Sequence, residues 1–71
     1  MRPQGRGARG AVKRVALIRK LEQMGCAMLR HGRRHDWYQN PKSKMCQPVP
    51  RHREIREHLA RHIIRMLSPE E

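Results

Sequence analysis

Two clusters of turn-forming residues, Gly32-Arg33-Arg34 and Asn40-Pro41-Lys42-Ser43, cut the middle of this chain into pieces too short for helices. Glycine and an Asn-Pro pair both interrupt regular structure. The pieces they separate, Cys26–His31, His35–Gln39 and Lys44–Val49, have the length of strands. Three short strands joined by tight turns predict an antiparallel meander. Pro48 and Pro50 have no backbone donor, so the third strand belongs at an edge or leaves the sheet there. Alternation puts Cys26, Met28 and Arg30 on one face of the first strand and Ala27, Leu29 and His31 on the other. By the same rule His35 and Trp37 share a face of the second strand, and Tyr38 takes the opposite one.

Helical periodicity brackets the meander. Val15, Leu17, Ile18, Leu21 and Met24 recur at helical spacing between Val12 and Met24, and Gly25 follows as a terminator. Ile55, Leu59, Ile63, Met66 and Leu67, widened by Ala60 and Ile64, predict a second helix from Arg53 to Leu67, ended by Ser68-Pro69. Glu54 and Glu57 near its start and Arg61 and Arg65 near its end suit the helix dipole, and Glu57 can pair with Arg61 one turn on. The expected fold is therefore α+β, in the order α-β-β-β-α, with a three-stranded antiparallel sheet and both helices on one face. A double-stranded-RNA-binding domain has nearly this architecture.

A chain of 71 residues holds one small domain. It has no Phe, one Trp and one Tyr, so Leu, Ile, Val and Met must fill a thin core. Residues 1–11, with three glycines, a proline and three arginines and no apolar period, read as a disordered basic arm; residues 12–71 form the domain. Seventeen Lys and Arg against six Asp and Glu give a net charge of +11, and 13 of the basic residues are arginine. That balance calls for a polyanionic partner and favours forked contacts to phosphate or carboxylate, but by itself it names no activity. No run approaches the roughly 20 apolar residues of a membrane span, and the N-terminus lacks a signal-peptide core. The expected location is cytoplasmic, with no membrane contact, and Cys26 and Cys46 are expected as free thiols.

His35 follows two arginines at the start of the second strand. An imidazole titrates near neutral pH, and the adjoining Arg33 and Arg34 favour its neutral, proton-accepting form while offering charge to a phosphate. RNA carries its own nucleophile, the 2′-hydroxyl, so strand cleavage without a metal needs only a base, charge stabilisation and help for the leaving oxygen. His35 is the candidate catalytic residue, and Arg30, Arg33, Arg34, Lys42, Lys44 and Arg51 are candidate RNA contacts. His31, across the turn, and Trp37, which can stack on a base or pack in the core, are accessory candidates. His52 has a structural role before the second helix, while His58 and His62 read as exposed helix residues. A zinc site from Cys26, His31, His35 and Cys46 lacks the closely spaced cysteine pair of finger motifs, so no metal or other cofactor is expected.

The stretch from Leu17 to Leu67 also resembles a known family. The pattern runs Leu21-Glu22-Gln23-Met24-Gly25, Arg30-His31-Gly32-Arg33-Arg34-His35, Tyr38-Gln39-Asn40-Pro41 and Val49-Pro50-Arg51-His52-Arg53-Glu54-Ile55, then Leu59-Ala60, Ile63-Ile64 and Leu67. It is similar to the HicA toxins of bacterial type II toxin-antitoxin pairs (YcfA-like family), small metal-independent ribonucleases. The resemblance implies the double-stranded-RNA-binding-like fold, cleavage of mRNA by the histidine after the glycine turn, here His35, and neutralisation by a cognate HicB-type antitoxin. It also implies that oligomers form only through the antitoxin complex. Family members commonly carry serine or another small residue after the glycine, where this chain has Arg33, which either adds a phosphate contact or crowds the site. The competing reading is a non-catalytic basic RNA-binding module using the same charged face.

Overall fold

The computed structural model describes residues 10–68. Most of the expected basic arm, residues 1–9, lies outside the described residues, as does Pro69. Seven elements follow one another: β1 (Ala11–Lys13), α1 (Arg14–Gln23), β2 (Ala27–His31), β3 (His35–Gln39), β4 (Cys46–Pro50), β5 (Glu54–Arg56) and α2 (Glu57–Leu67). The strands β2, β3 and β4 form the expected three-stranded antiparallel sheet, with β3 in the middle and the proline-bearing β4 at an edge.

Each helix starts later than its apolar periodicity predicts, because the residues before it form a strand. β1 and β5 pair antiparallel as a separate ribbon, with Val12 opposite Ile55. Both are β-branched; Ile55 is buried and Val12 packs against the core. The ribbon also solves a capping problem, since neither Lys13 nor Arg56 supplies a capping side chain at the helix starts. Instead the Arg14 N–H donates to the Arg53 carbonyl at 2.8 Å, and the Glu57 N–H to the Gly10 carbonyl at 2.6 Å. Gly10 and Ala11, assigned to the arm from sequence, are thus part of the folded unit.

Leu17 and Leu21 of α1 and Ala60, Ile63 and Leu67 of α2 meet Tyr38 and Val49 of the sheet in one core, so both helices cover the same face. Burying each of Leu21, Ile63 and Leu67 contributes about 1.5–3 kcal/mol. Val15, counted in the α1 stripe from its spacing, is 61% exposed and takes no part. Burial pushes the Cys26 thiol above its ordinary range, leaving it an inert packing group, and both cysteines are free thiols. Burial also raises the Tyr38 hydroxyl, with Arg14 pulling against it and Asp36 and Glu22 adding to it. Asn40, at the end of β3, ties the sheet to the end of α2 through its side-chain N–H group, which donates to the Leu67 carbonyl at 2.7 Å.

α1 ends where expected, in a Schellman arrangement: the Gly25 N–H donates to the Glu22 carbonyl and the Cys26 N–H to the Leu21 carbonyl, with Gly25 at φ +92°. A Cβ on Gly25 would meet nothing within 4 Å, so a substitution there costs backbone strain alone. Gly25→Ala is expected to destabilise the fold by about 1 kcal/mol, read as a lower urea midpoint at unchanged slope.

Burial alternates along β3: Asp36 and Tyr38 point into the helix-covered face, and His35, Trp37 and Gln39 belong to the outer one. The predicted pairing of His35 with Trp37 on one face is what the strand shows. β2 departs from simple alternation. Met28 faces Tyr38 but Arg30 faces Trp37, so Leu29 is an extra residue in a β-bulge. Beyond the bulge the register puts Arg30 on the face of Trp37, and His31 on the face of Asp36.

Candidate functional site

The β2–β3 turn is tied down at several points. The Gly32 N–H donates to the His35 carbonyl at 2.9 Å, leaving only Arg33 and Arg34 between them. Gly32 does not have a positive φ; it is glycine for want of room, since a Cβ there would lie 2.5 Å from the His35 carbonyl oxygen. The turn's own carbonyls are taken up by a residue far away in sequence. The Arg51 guanidinium donates to the carbonyls of Gly32 and Arg33, and through Nη1 to Nε2 of His31 at 2.9 Å.

Behind the turn lies a carboxylate that sequence reasoning did not single out. Asp36 is buried, and its Oδ2 accepts a hydrogen bond from Arg14 Nη2 of α1 at 2.8 Å. Its Oδ1 lies 2.8 Å from Nδ1 of His31 and 3.8 Å from Nε of Arg51. The His31 nitrogen is not aligned as a donor and the Arg51 nitrogen is beyond hydrogen-bond reach, so Oδ1 is a buried oxygen with no hydrogen bond from any described residue. A guanidinium only donates, so Nε2 of His31 is the acceptor toward Arg51. Two guanidiniums share one carboxylate, so the cluster keeps a net positive charge while its buried charge is compensated. Arg14 also donates from Nε to the Pro50 carbonyl at 2.8 Å, fixing the end of β4 from which Arg51 emerges.

The residues singled out from sequence fall into three places. His35 is exposed at the start of β3, opposite Pro50. Arg33, Arg34, Arg51 and His52 line an open concavity of about 590 Å³ beside that turn. His52, assigned a structural role from sequence, belongs to this group. On the outer sheet face the Arg30 guanidinium sits 5.9 Å from the centroid of the half-buried Trp37 ring, within cation–π range. Lys42 and Lys44 are not brought to the site: they occupy the β3–β4 turn, roughly 13 Å along β3 from His35 at the usual strand rise.

His31 flanks the same turn as His35 but is directed to Asp36 and Arg51, on the face opposite to that of His35. The alternative zinc set is not assembled. Cys26 lies in the core with Sγ 3.8 Å from the Leu67 carbonyl, and Cys46 Sγ is near the Lys44 carbonyl. Among the described residues no group of three His, Cys, Asp or Glu is close enough to hold a metal ion. His58 and His62 are exposed on α2, apart from His35. No helix among the described residues is long and apolar enough to cross a membrane.

No curated protein and no solved structure matches the chain. A protein family does: the family described as the HicA toxin of bacterial toxin-antitoxin systems matches residues 16–67, from α1 to the end of α2. The match spans the sheet, both helices, the glycine turn, His35, Asp36 and Arg51, and it implies an antitoxin partner. With fold and sequence pattern in agreement over most of its length, the chain belongs to the HicA family of toxins.

Proposed function

We propose that this toxin acts as a metal-independent endoribonuclease on mRNA, with His35 as its general acid/base, and that it is restrained by an HicB-type antitoxin. The observation that carries this reading is that His35 is exposed at the start of β3, directly after Arg33 and Arg34, which line a concavity together with Arg51 and His52. A phosphodiester in that concavity would meet several fixed or flexible cations, which favours binding and stabilises charge building on the phosphorane. Neutral His35 takes the proton of the 2′-hydroxyl, whose oxygen attacks the adjoining phosphorus. The bond to the 5′-oxygen breaks, leaving a 2′,3′-cyclic phosphate and, after protonation, a 5′-hydroxyl. Trp37 and Arg30, stacked on the outer face beside His35, supply a surface for a base and its phosphate. Arg33 is exposed and lines the concavity, which favours the phosphate-contact role over crowding. A cationic surface of this kind also suits an acidic inhibitor.

The experiment is cleavage of a defined single-stranded RNA by the purified chain in excess chelator. Cleavage is expected to persist, to give cyclic-phosphate ends, and to stop when the nucleotide 5′ to the cut carries a 2′-deoxy sugar. Cutting of the deoxy substrate, or loss of cleavage with chelator, rules the mechanism out; binding without any cleavage favours the non-catalytic RNA-binding reading.

A further inference from the structure

The buried carboxylate of Asp36 has no task in the reaction just described, yet it organises the site's surroundings. We propose that Asp36 is a positioning residue: acting with His31, it holds Arg51 across the β2–β3 turn, so that a phosphate-binding guanidinium is presented in one orientation. The proposal rests on the RNA-cleaving reading of the His35 site.

Three observations carry it. Asp36 is 6% exposed and touches side chains from three other parts of the chain: Arg14 from α1, His31 from β2 and Arg51 from the segment after β4. Arg51 is gripped on several sides, with Nε toward Asp36, Nη1 on His31 and Nη2 on two turn carbonyls, yet its side chain remains 34% exposed to the concavity. Finally, Arg14 already pairs with the second oxygen of Asp36. A carboxylate needed only to tie α1 to the sheet would not require His31 and Arg51 around its other oxygen. An ordered arginine loses less side-chain freedom when it meets a phosphate than Arg33 or Arg34 does, whose exposed side chains make no hydrogen bond or ion pair among the described residues.

Asp36→Asn tests this by the sign of its effect. The substitution removes a negative charge from a polycation, so long-range electrostatics alone would tighten RNA binding. Positioning requires the opposite: affinity for a short single-stranded RNA weaker on the order of tenfold, and a salt dependence shallower by about 0.7 in slope, as for one lost phosphate contact. Cleavage should fall at least in parallel, with thermal melting confirming that the variant is folded at the assay temperature. Affinity equal to or tighter than wild type, with an unchanged salt slope, overturns the proposal while leaving the ribonuclease reading intact. A wild-type protein that neither binds nor cleaves RNA overturns both.

A second measurement needs no variant. In the wild-type protein the side-chain N–H protons of Arg51 should exchange with water about tenfold more slowly than those of Arg33 and Arg34. Equal exchange rates also overturn the proposal, whether or not Asp36→Asn folds.

Discussion

Replacing His35 with alanine is expected to abolish growth arrest on expression and to slow RNA cleavage by about two to four orders of magnitude, the usual contribution of a positioned acid or base. RNA affinity and thermal stability should stay near wild type. The side chain is exposed at the start of β3, where truncation creates no cavity, and exposed substitutions usually shift stability by about 0.5 kcal/mol or less. The arginines lining the neighbouring concavity are untouched, so the proposed RNA contacts are expected to persist without the imidazole. This separation makes the result informative. A loss of cleavage together with stability would indicate a structural histidine, whereas full cleavage by the variant would place the base elsewhere.

Much of the fold was legible because the turn signals were local. Gly32-Arg33-Arg34 and Asn40-Pro41 set the strand limits closely, and β3 has the bounds read from sequence. The helix starts were not legible, for a physical reason. Val12 and Ile55 fit a helical stripe as well as they fit a strand, and only their pairing across the chain decides between the two. That pairing also replaces the side-chain caps the sequence lacks, so the missing Ser, Thr, Asp or Asn before each helix was itself the available signal. The bulge at Leu29 was similarly hidden, because nothing in Ala-Met-Leu-Arg-His marks where the register shifts.

At the site, sequence alone pointed to His35 and to the arginines, whose chemistry is evident from residue type. It did not single out Asp36. Its importance comes from contacts with Arg14 and Arg51, distant in sequence and joined only by the fold. One clue was present: period-two alternation places Asp36 on the face of Tyr38, and a carboxylate on a covered face demands partners. The same logic explains why His31, close to His35 along the chain, is committed elsewhere. The bulge turns it to the Asp36 face, so nearness in sequence misstates nearness in function.

Gly32→Ala is expected to cost about 2–3 kcal/mol of stability and to reduce cleavage by about a hundredfold in the protein that remains folded. The added Cβ would stand 2.5 Å from the backbone oxygen of His35, which belongs to the strand and cannot swing aside as a side-chain end could. Relief requires the turn to open. Opening it breaks the Gly32-to-His35 hydrogen bond, moves the carbonyls that Arg51 grips, and shifts His35 relative to the concavity. Gly25→Ala provides the matched control, since the same methyl enters open space at a left-handed φ and disturbs only the end of α1. The two variants should therefore part company: both lose stability in urea denaturation, but only Gly32→Ala loses cleavage beyond what its unfolded fraction explains. If Gly32→Ala cleaves as well as Gly25→Ala at equal folded concentration, the tight turn serves folding alone, and its geometry does not set the position of His35.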